Sequence, residues 1–292
     1  QTKDTEGFKE DLFEEIKSRI KEDDSSVPYK YNGYWYITRF EKGKDYPIYV
    51  RKKETLKAPE EMLFDCNTMA KGLPYFKLVG ISVSPDNKKV AFGTDTTGRR
   101  QYTIQIKNLE TQEIYGDTIQ DTTGSSAWAN DNETLFYTKK DEVTLRSYQV
   151  YRHQLHQEED TLVFEEGDET FGVTVYKSKS KKYIIIACYS TVTNEYHILD
   201  SSNPTGKFEV FCPRVRGIEY SISHYKNHFY ILTNKDKATN FKLMRTSEVD
   251  RDMDKWQTVL PYRKEVLIEA IDIFKDFLVI SERENGLNQI RV

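Results

Sequence analysis

The sequence predicts an all-β fold, a β-propeller of about five and a half blades preceded by a short amphipathic α-helix. Short apolar strands recur along the chain at similar intervals, and most of them follow a polar turn. Aromatic residues make up 13% of the 292 residues and hydrophobic residues only 37%, a balance that suits many short strands with one solvated face. The period and the composition together favour stacked blades over a helical or a disordered chain.

The first segment differs from everything after it. Its apolar side chains recur at helical spacing in residues 8–23 and form one stripe, which consists of Phe8, Leu12, Phe13, Ile16 and Ile20. The predicted helix ends before the linker 25–28, because Pro28 disfavours helical geometry in the residue before it. We therefore assign residues 1–27 to an N-terminal helical segment and residues 28–292 to the propeller.

From Tyr29 onward, strands replace the helical period. The strongest apolar strands begin at residues 34, 90, 135, 183, 229 and 277, so their starts are 45 to 56 residues apart. Periods in the forties are typical of four-stranded propeller blades. About ten residues after each of the last five, an alternating strand follows, at 102–109, 148–155, 195–199, 240–244 and 288–292. We interpret these as second and third strands of successive blades, followed by outer strands such as 160–166 and 207–213. The alternatives are a stack of unrelated hairpins or a β-sandwich, but a sandwich rarely keeps one period over five repeats.

The blade count leaves the predicted ring open. Five repeats are complete or nearly so, and a sixth stops at Val292 after its third strand. A propeller closes its ring and so removes exposed strand edges. We therefore expect a truncated chain whose edge at 288–292 pairs with another copy or frays.

Charge and hydropathy argue against two kinds of partner. The net charge is −4 and the basic residues form no stripe, so we expect no nucleic-acid partner. No apolar run approaches the ~18 residues that span a bilayer, so we expect no membrane span. No signal-peptide pattern is visible, but the chain begins without Met, as a processed form would. We expect a cytoplasmic location, with the bacterial periplasm as the alternative.

No metal or other cofactor is expected. His153 and His156 point to opposite faces of a predicted strand, and His224 and His228 flank a turn. The cysteines are odd in number and far apart, which suits small buried hydrophobic side chains better than disulfides; they are Cys66, Cys188 and Cys212.

Two patterns imitate known binding loops. The acidic stretch 250–254 begins like a calcium loop, but Lys255 and Pro261 occupy the positions that require glycine and glutamate. The glycine spacing of 93–100 matches a phosphate-binding loop, but the required Lys and Ser/Thr are replaced by Arg99 and Arg100. We interpret the first as a solvated loop and the second as a hairpin loop.

The sequence contains no nucleophile elbow. Hydrolases of the α/β type hold their serine in a GxSxG turn, and the 14 glycines here never come closer than five residues. No catalytic residue is therefore assigned, although spacing alone leaves open a Ser-His-Asp triad on another scaffold.

Several long segments resemble bacterial oligopeptidase B of the prolyl oligopeptidase group. The resemblance runs over about residues 11–292 and includes WAND at 128–131 and YQVYRHQL at 148–155. Its longer segments are 14–52, 63–72, 95–113, 125–155 and 216–234. The resemblance implies a seven-bladed propeller that caps an α/β-hydrolase domain with a Ser-Asp-His triad. In that family the enzyme cleaves short peptides after Arg or Lys.

For this chain, the resemblance implies the gating domain of such a peptidase rather than its active site. The expected partners are an α/β-hydrolase catalytic domain beyond this chain, short basic peptides, and a second copy that meets the open edge or the helix. Blade-edge loops would supply charged residues that latch the two domains. Candidates are Arg99, Arg100, Arg146, Arg152, Glu165, Glu166 and Asp168. The alternatives are solvated loop charges for these residues and, for the whole chain, a stand-alone propeller that serves as a protein-interaction scaffold.

Overall fold

A computed structural model describes residues 5–292, and almost all of its regular structure is β. Two α-helices precede or interrupt the strands, α1 (Glu6–Ser18) and α2 (Cys66–Met69), and a short 3-10 helix spans Met253–Lys255. Helix α1 forms where the apolar stripe predicts, but it ends at Ser18 and not at residue 23. None of its residues is buried, and the stripe side chains are 42–69% exposed.

Antiparallel meanders of four strands repeat along the chain, as in the blades of a β-propeller. The first blade consists of β1 (Tyr29–Tyr31), β2 (Tyr34–Arg39), β3 (Ile48–Lys53) and β4 (Glu60–Asp65). The second begins with β5 (Lys77–Val83), β6 (Lys89–Asp95) and β7 (Tyr102–Asn108). These three strands lead into β8 (Ile114–Trp128), which is shared with the third blade.

The later blades follow the same order. The third continues with β9 (Thr134–Lys140), β10 (Ser147–Gln154) and β11 (Thr161–Glu165). The fourth consists of β12 (Gly172–Lys177), β13 (Tyr183–Tyr189), β14 (Asn194–Asp200) and β15 (Glu209–Cys212). The fifth has β16 (Tyr220–Tyr225), β17 (His228–Thr233), β18 (Lys242–Ser247) and β19 (Gln257–Leu260). The sixth contributes β20 (Val266–Ile273), β21 (Leu278–Glu284) and β22 (Leu287–Arg291).

The predicted propeller fold is confirmed, with five four-stranded repeats and three strands of a sixth. The six strong strands correspond to β2, β6, β9, β13, β17 and β21. The third strand of the fifth blade begins at Lys242, later than predicted, because Asp236, Lys237 and Phe241 adopt positive φ and keep the preceding turn out of the sheet.

The sequence did not predict that β8 passes from one blade into the next. It pairs with β7 up to Thr122 and with β9 from Thr122 onward. The change occurs where Asp121 and Gly124 have positive φ. A Cβ on Gly80 would lie 1.9 Å from the carbonyl oxygen of Gly124, so this crossing requires glycine.

Contacts divide the chain into two units. The first extends to Leu78 and includes Asp95–Arg99; the second comprises Val79–Thr94 and Arg100–Val292. The proposed boundary between residues 27 and 28 remains a prediction. In the second unit, consecutive blades pack through their apolar faces, and the strands at 135–137 and 184–186 are almost fully buried. Strands buried on both faces explain the continuous apolar runs in the sequence.

Candidate functional site

Three loops of the third, fourth and fifth blades surround an open cleft of about 620 Å³. They are 166–171 after β11, 190–193 between β13 and β14, and 213–219 after β15. Strand direction alternates within each meander, so these three kinds of loop emerge at the same end of their blades. We call this concave surface the arginine cleft, because Arg214 and Arg216 form part of its wall.

A buried ion pair holds two of these loops together. Both terminal guanidinium nitrogens of Arg214 donate to the carboxylate of Glu166, at 2.8 and 3.2 Å. Glu166 is buried, whereas the Arg214 side chain remains 31% exposed. The guanidinium also lies over an aromatic ring, with its central carbon 4.1 Å from the centre of the Phe171 ring. This pair fixes loop 166–171 to loop 213–219.

Arg146 supports the same loop from the third blade. Its guanidinium donates to the backbone carbonyls of Glu166, Asp168 and Phe171, the last at 2.8 Å. Buried carbonyl groups require such donors, so Arg146 stabilises the conformation of loop 166–171. Its charged group is directed inward, toward the propeller itself.

Asp168 and Glu165 present their carboxylates to solvent. Asp168 accepts hydrogen bonds from the backbone N–H and the hydroxyl of Thr170, at 3.0 and 2.7 Å. These bonds, together with the nearby Arg214 and Arg146 guanidinium groups, hold the pKa of the Asp168 carboxyl below its usual range. Glu165 lies at the end of β11 and accepts a hydrogen bond from Gln149 at 2.6 Å.

The remaining latch candidates do not join this cluster. Arg152 lies near the other end of β10 from Arg146, roughly 20 Å along the strand, and donates to the carbonyl of Pro204 at 3.2 Å. Arg99 and Arg100 are exposed in the loop between β6 and β7. The backbone N–H of Arg99 donates to Thr97, and the carbonyl of Arg100 accepts from Lys140.

Sequence reasoning missed Arg214 and Arg216. Both lie in the segment that connects an outer strand to the next blade, as Glu166 and Asp168 do. The equivalent position of these segments in successive blades was the sequence signal that could have identified Arg214 and Arg216. Their pairing across 48 residues was not visible, because it depends on how two blades pack.

A buried histidine joins the second blade to the third. His153 lies between two carboxylates, with Nδ1 2.7 Å from Asp160 and Nε2 3.2 Å from Asp117. Burial alone would lower the pKa of His153, but the two carboxylates outweigh it and raise the pKa above its ordinary value. The Tyr137 hydroxyl also donates to Asp160, at 2.5 Å. His156 lies in the turn after β10 and is exposed, with Nδ1 3.8 Å from Asp117, so the two histidines approach the same carboxylate and the prediction that they point to opposite faces of one strand is wrong.

A second histidine joins the fourth blade to the fifth. The imidazole of His224 has Nδ1 2.7 Å from the Ser180 hydroxyl and Nε2 2.6 Å from the carboxylate of Glu248. The order resembles a Ser-His-acid triad, but Ser180 also bonds the hydroxyl of Ser178, and Glu248 also pairs with Lys182. We interpret this set as a contact that ties the turn 178–182 to the next blade.

The thiols and the possible metal ligands show no reactive arrangement. Burial raises the pKa of Cys66 to about 12 and also raises the pKa of Cys188 and Cys212, and all three are free thiols inside the fold. Among residues 5–292, no group of three or more His, Cys, Asp or Glu side chains is placed to hold a metal ion. No helix in the same range is long and apolar enough to cross a membrane.

Comparison with known proteins gives one consistent result. Residues 1–292 match the family described as prolyl oligopeptidase, N-terminal β-propeller domain. The chain is 38% identical to dipeptidyl aminopeptidase BI of Pseudoxanthomonas mexicana, over 96% of this chain and 41% of that protein. It is 33% identical to protease 2 of Moraxella lacunata, over 97% of this chain and 42% of that protein.

Solved structures agree with the sequence relatives. Oligopeptidase B from Leishmania major superimposes with a TM-score of 0.91 and 32% identity, over 99% of this chain and 41% of that chain. Oligopeptidase B from Trypanosoma brucei superimposes with a TM-score of 0.89 and 30% identity, over 99% of this chain and 41% of that chain. The chain therefore spans about two fifths of the length of these relatives.

Proposed function

We propose, since this chain belongs to the prolyl oligopeptidase N-terminal β-propeller family, that it is the gating domain of an oligopeptidase B-like serine endopeptidase. The substrates would be short peptides cleaved after Arg or Lys. The match of the whole chain to this propeller family carries the proposal, and the similarity to oligopeptidase B structures supports the choice within the family. The chemistry would reside in an α/β-hydrolase domain outside this chain.

The propeller would act by exclusion. A rigid ring above a hydrolase cleft admits short or extended peptides and keeps folded proteins away from the nucleophile. Closure of the two domains would also remove water from the site, which strengthens the electrostatic interactions there. The tight packing between consecutive blades supports this role, because a gate must keep its shape while its partner moves.

The hydrogen bonds of the charged side chains reduce the number of candidate latch residues. Arg146 and Glu166 have their charged groups bonded within the propeller, and they position loop 166–171. Arg152 bonds its own blade and the next. The exposed members Glu165 and Asp168, and the loop residues Arg99 and Arg100, remain the proposed interdomain contacts.

The proposal is tested with the full-length protein and with this 292-residue chain side by side. Fluorogenic peptides with Arg or Lys before the scissile bond are compared with matched peptides that carry Gln there. We expect hydrolysis of the basic peptides by the full-length protein alone, and no cleavage of the same basic sequence inside a folded host protein. Equal hydrolysis of the Gln peptides would refute the specificity, and cleavage of the folded host would refute the gate.

A further inference from the structure

The contact that ties turn 178–182 to the fifth blade includes a serine hydroxyl that is hydrogen-bonded to a buried imidazole. Oγ of Ser180 lies 2.7 Å from Nδ1 of His224, and Nε2 of His224 lies 2.6 Å from the carboxylate of Glu248. The His224 side chain is 2% exposed, whereas Ser180 is exposed. A base that is held by a third group and bonded to an accessible hydroxyl is the arrangement that activates a serine as a nucleophile.

The charges of these groups fix the direction of the hydrogen bonds. Burial opposes ionisation of Glu248, but the hydrogen bonds from Lys182 and His224 outweigh it and lower the pKa of its carboxyl. An ionised carboxylate only accepts, so Nε2 of His224 carries a proton. Burial lowers the pKa of His224 itself, so the ring is neutral at pH 7 and Nδ1 carries no proton. Nδ1 therefore accepts the hydroxyl proton of Ser180, as a general base does.

The other partners of Ser180 and Glu248 are compatible with this direction. The Ser178 hydroxyl lies 2.9 Å from Oγ of Ser180 and accepts a hydrogen bond from the backbone N–H of Tyr183 at 3.0 Å. Because Ser180 donates to His224, the proton between the two serine hydroxyls belongs to Ser178. The ammonium group of Lys182 lies 2.6 Å from Glu248 and keeps that carboxylate charged. Neither contact blocks proton transfer from Ser180 to the imidazole.

The backbone of the same turn offers donors for a negatively charged oxygen. The N–H of Lys181 donates to the carbonyl of Ser178 at 2.8 Å and closes a turn around Lys179 and Ser180. The backbone N–H groups of these two central residues make no hydrogen bond within residues 5–292. Free N–H groups beside a nucleophile stabilise the oxyanion that forms when a carbonyl group is attacked.

A cavity of about 460 Å³ adjoins the hydroxyl, between the fourth, fifth and sixth blades. Both Ser180 and His224 form part of its wall. Much of the remaining wall is apolar or aromatic and includes Tyr176, Ile222 and Phe274. A volume of this size accommodates a small molecule, and such a wall favours an apolar one.

We propose that Ser180 is a nucleophile that takes up the acyl group of a small apolar ester and that the acyl-serine is then hydrolysed. Oγ attacks the ester carbonyl while its proton passes to Nδ1 of His224. The bond between the carbonyl carbon and the alcohol oxygen breaks, and the alcohol leaves with that proton. Water then attacks the acyl-serine with the same imidazole as base, so the net reaction consumes one water and releases an acid and an alcohol. This site is separate from the proposed peptidase chemistry and does not depend on it.

Labelling of the full-length protein with a biotinylated fluorophosphonate tests the nucleophile. Digestion and mass spectrometry locate the label, which separates Ser180 from any serine of a catalytic domain. The internal control is Ser223, which lines the same cavity and bonds no imidazole within residues 5–292. A general base contributes about 10²–10⁴-fold, so we expect Ser180 to be labelled at least about 100-fold faster than Ser223.

Variants test the role of the base. We expect His224→Gln to slow the labelling of Ser180 about 100-fold. Glu248→Gln removes the charge that orients the imidazole and should also slow the reaction, so it serves as the test if His224→Gln fails to fold. The matched control is Ser221→Ala, since Ser221 is exposed on the same strand as His224 and lies outside the cavity wall. We expect this variant to leave the labelling of Ser180 unchanged.

The acyl step is tested with p-nitrophenyl butyrate. The full-length protein is mixed with the ester, quenched in acid and mapped by mass spectrometry, and we expect a butyryl group on Ser180 that is lost in Ser180→Ala. Absence of butyryl-Ser180 in the wild type, or labelling of Ser180 no faster than that of Ser223, would show that the serine makes a structural contact alone. Either result would overturn the inference, whether or not the protein cleaves basic peptides.

Discussion

Removing Arg214 should destabilise the propeller because it leaves the buried carboxylate of Glu166 without its cation. Glu166 is 4% exposed, and both terminal guanidinium nitrogens of Arg214 donate to its carboxylate, at 2.8 and 3.2 Å. Breaking a buried pair on one side costs about 3–5 kcal/mol. Because the Arg214 side chain is 31% exposed, we reduce this to about 2–3 kcal/mol for Arg214→Met.

Replacing the carboxylate of the pair, in place of the guanidinium, should lower the stability by a smaller amount. In Glu166→Gln the partly exposed guanidinium regains water, so we expect a loss of about 1 kcal/mol. In the double variant Glu166→Gln/Arg214→Met no buried charge is left unpaired, and its stability should exceed that of Arg214→Met alone. The double-mutant cycle therefore separates the interaction energy of the ion pair from the contribution that Arg214 makes by packing on Phe171.

Urea unfolding monitored by tryptophan fluorescence measures these differences. Hydrogen exchange should also accelerate in loop 166–171, which Arg214 helps to hold. If Arg214→Met unfolds at the wild-type urea concentration, the buried pair does not have the role assigned to it.

Three further predictions concern the packing of the blades. Gly80→Ala should lower stability by several kcal/mol, since its Cβ would meet the carbonyl of Gly124, whereas Gly116→Ala in the same fold should have little effect. His153 has a raised pKa, so the stability it contributes is present below about pH 6.5 and is lost as the pH rises through the folded value; the gap between wild type and His153→Gln should be wider at pH 6 than at pH 9. The three buried thiols should react with a thiol reagent at pH 8 only after urea unfolds the chain.

Each of these has an outcome that contradicts it. Equal melting temperatures for the two glycine variants would refute the close approach at Gly124. A stability gap for His153→Gln that is constant or grows with pH would show that the imidazole does not act as a cation between Asp117 and Asp160. Modification of any of the three cysteines in the folded chain would refute their burial.

The strands could be predicted because their signal is local. A run such as 183–186 is apolar throughout because it is buried on both faces, and a polar turn precedes it. The period of the strong strands then follows from the repetition of one meander. Helix α1 was predicted for the same reason, but its stripe is exposed along this chain, since periodicity indicates an amphipathic helix and not the surface that covers it.

The candidate latch residues show what local sequence patterns cannot predict, namely the partners of each charged side chain. Charged residues in blade-edge loops are easy to find, but Arg146 and Glu166 proved to be bonded inside the propeller while Asp168 faces solvent. Whether a charge is free depends on partners that lie 20 to 48 residues away. Pairs of residues so far apart in the chain leave no pattern in a single sequence, so these partners could not be predicted.

The blade repeat, the order of strong and alternating strands and the family resemblance could be read from the sequence alone, because each depends on residues that are neighbours along the chain. The sharing of β8 between two blades and the pairing of Arg214 with Glu166 become visible only in the folded protein. The physical reason is that the packing of one blade on the next brings together loops whose separation in sequence is a whole blade, and charge compensation is settled at that interface.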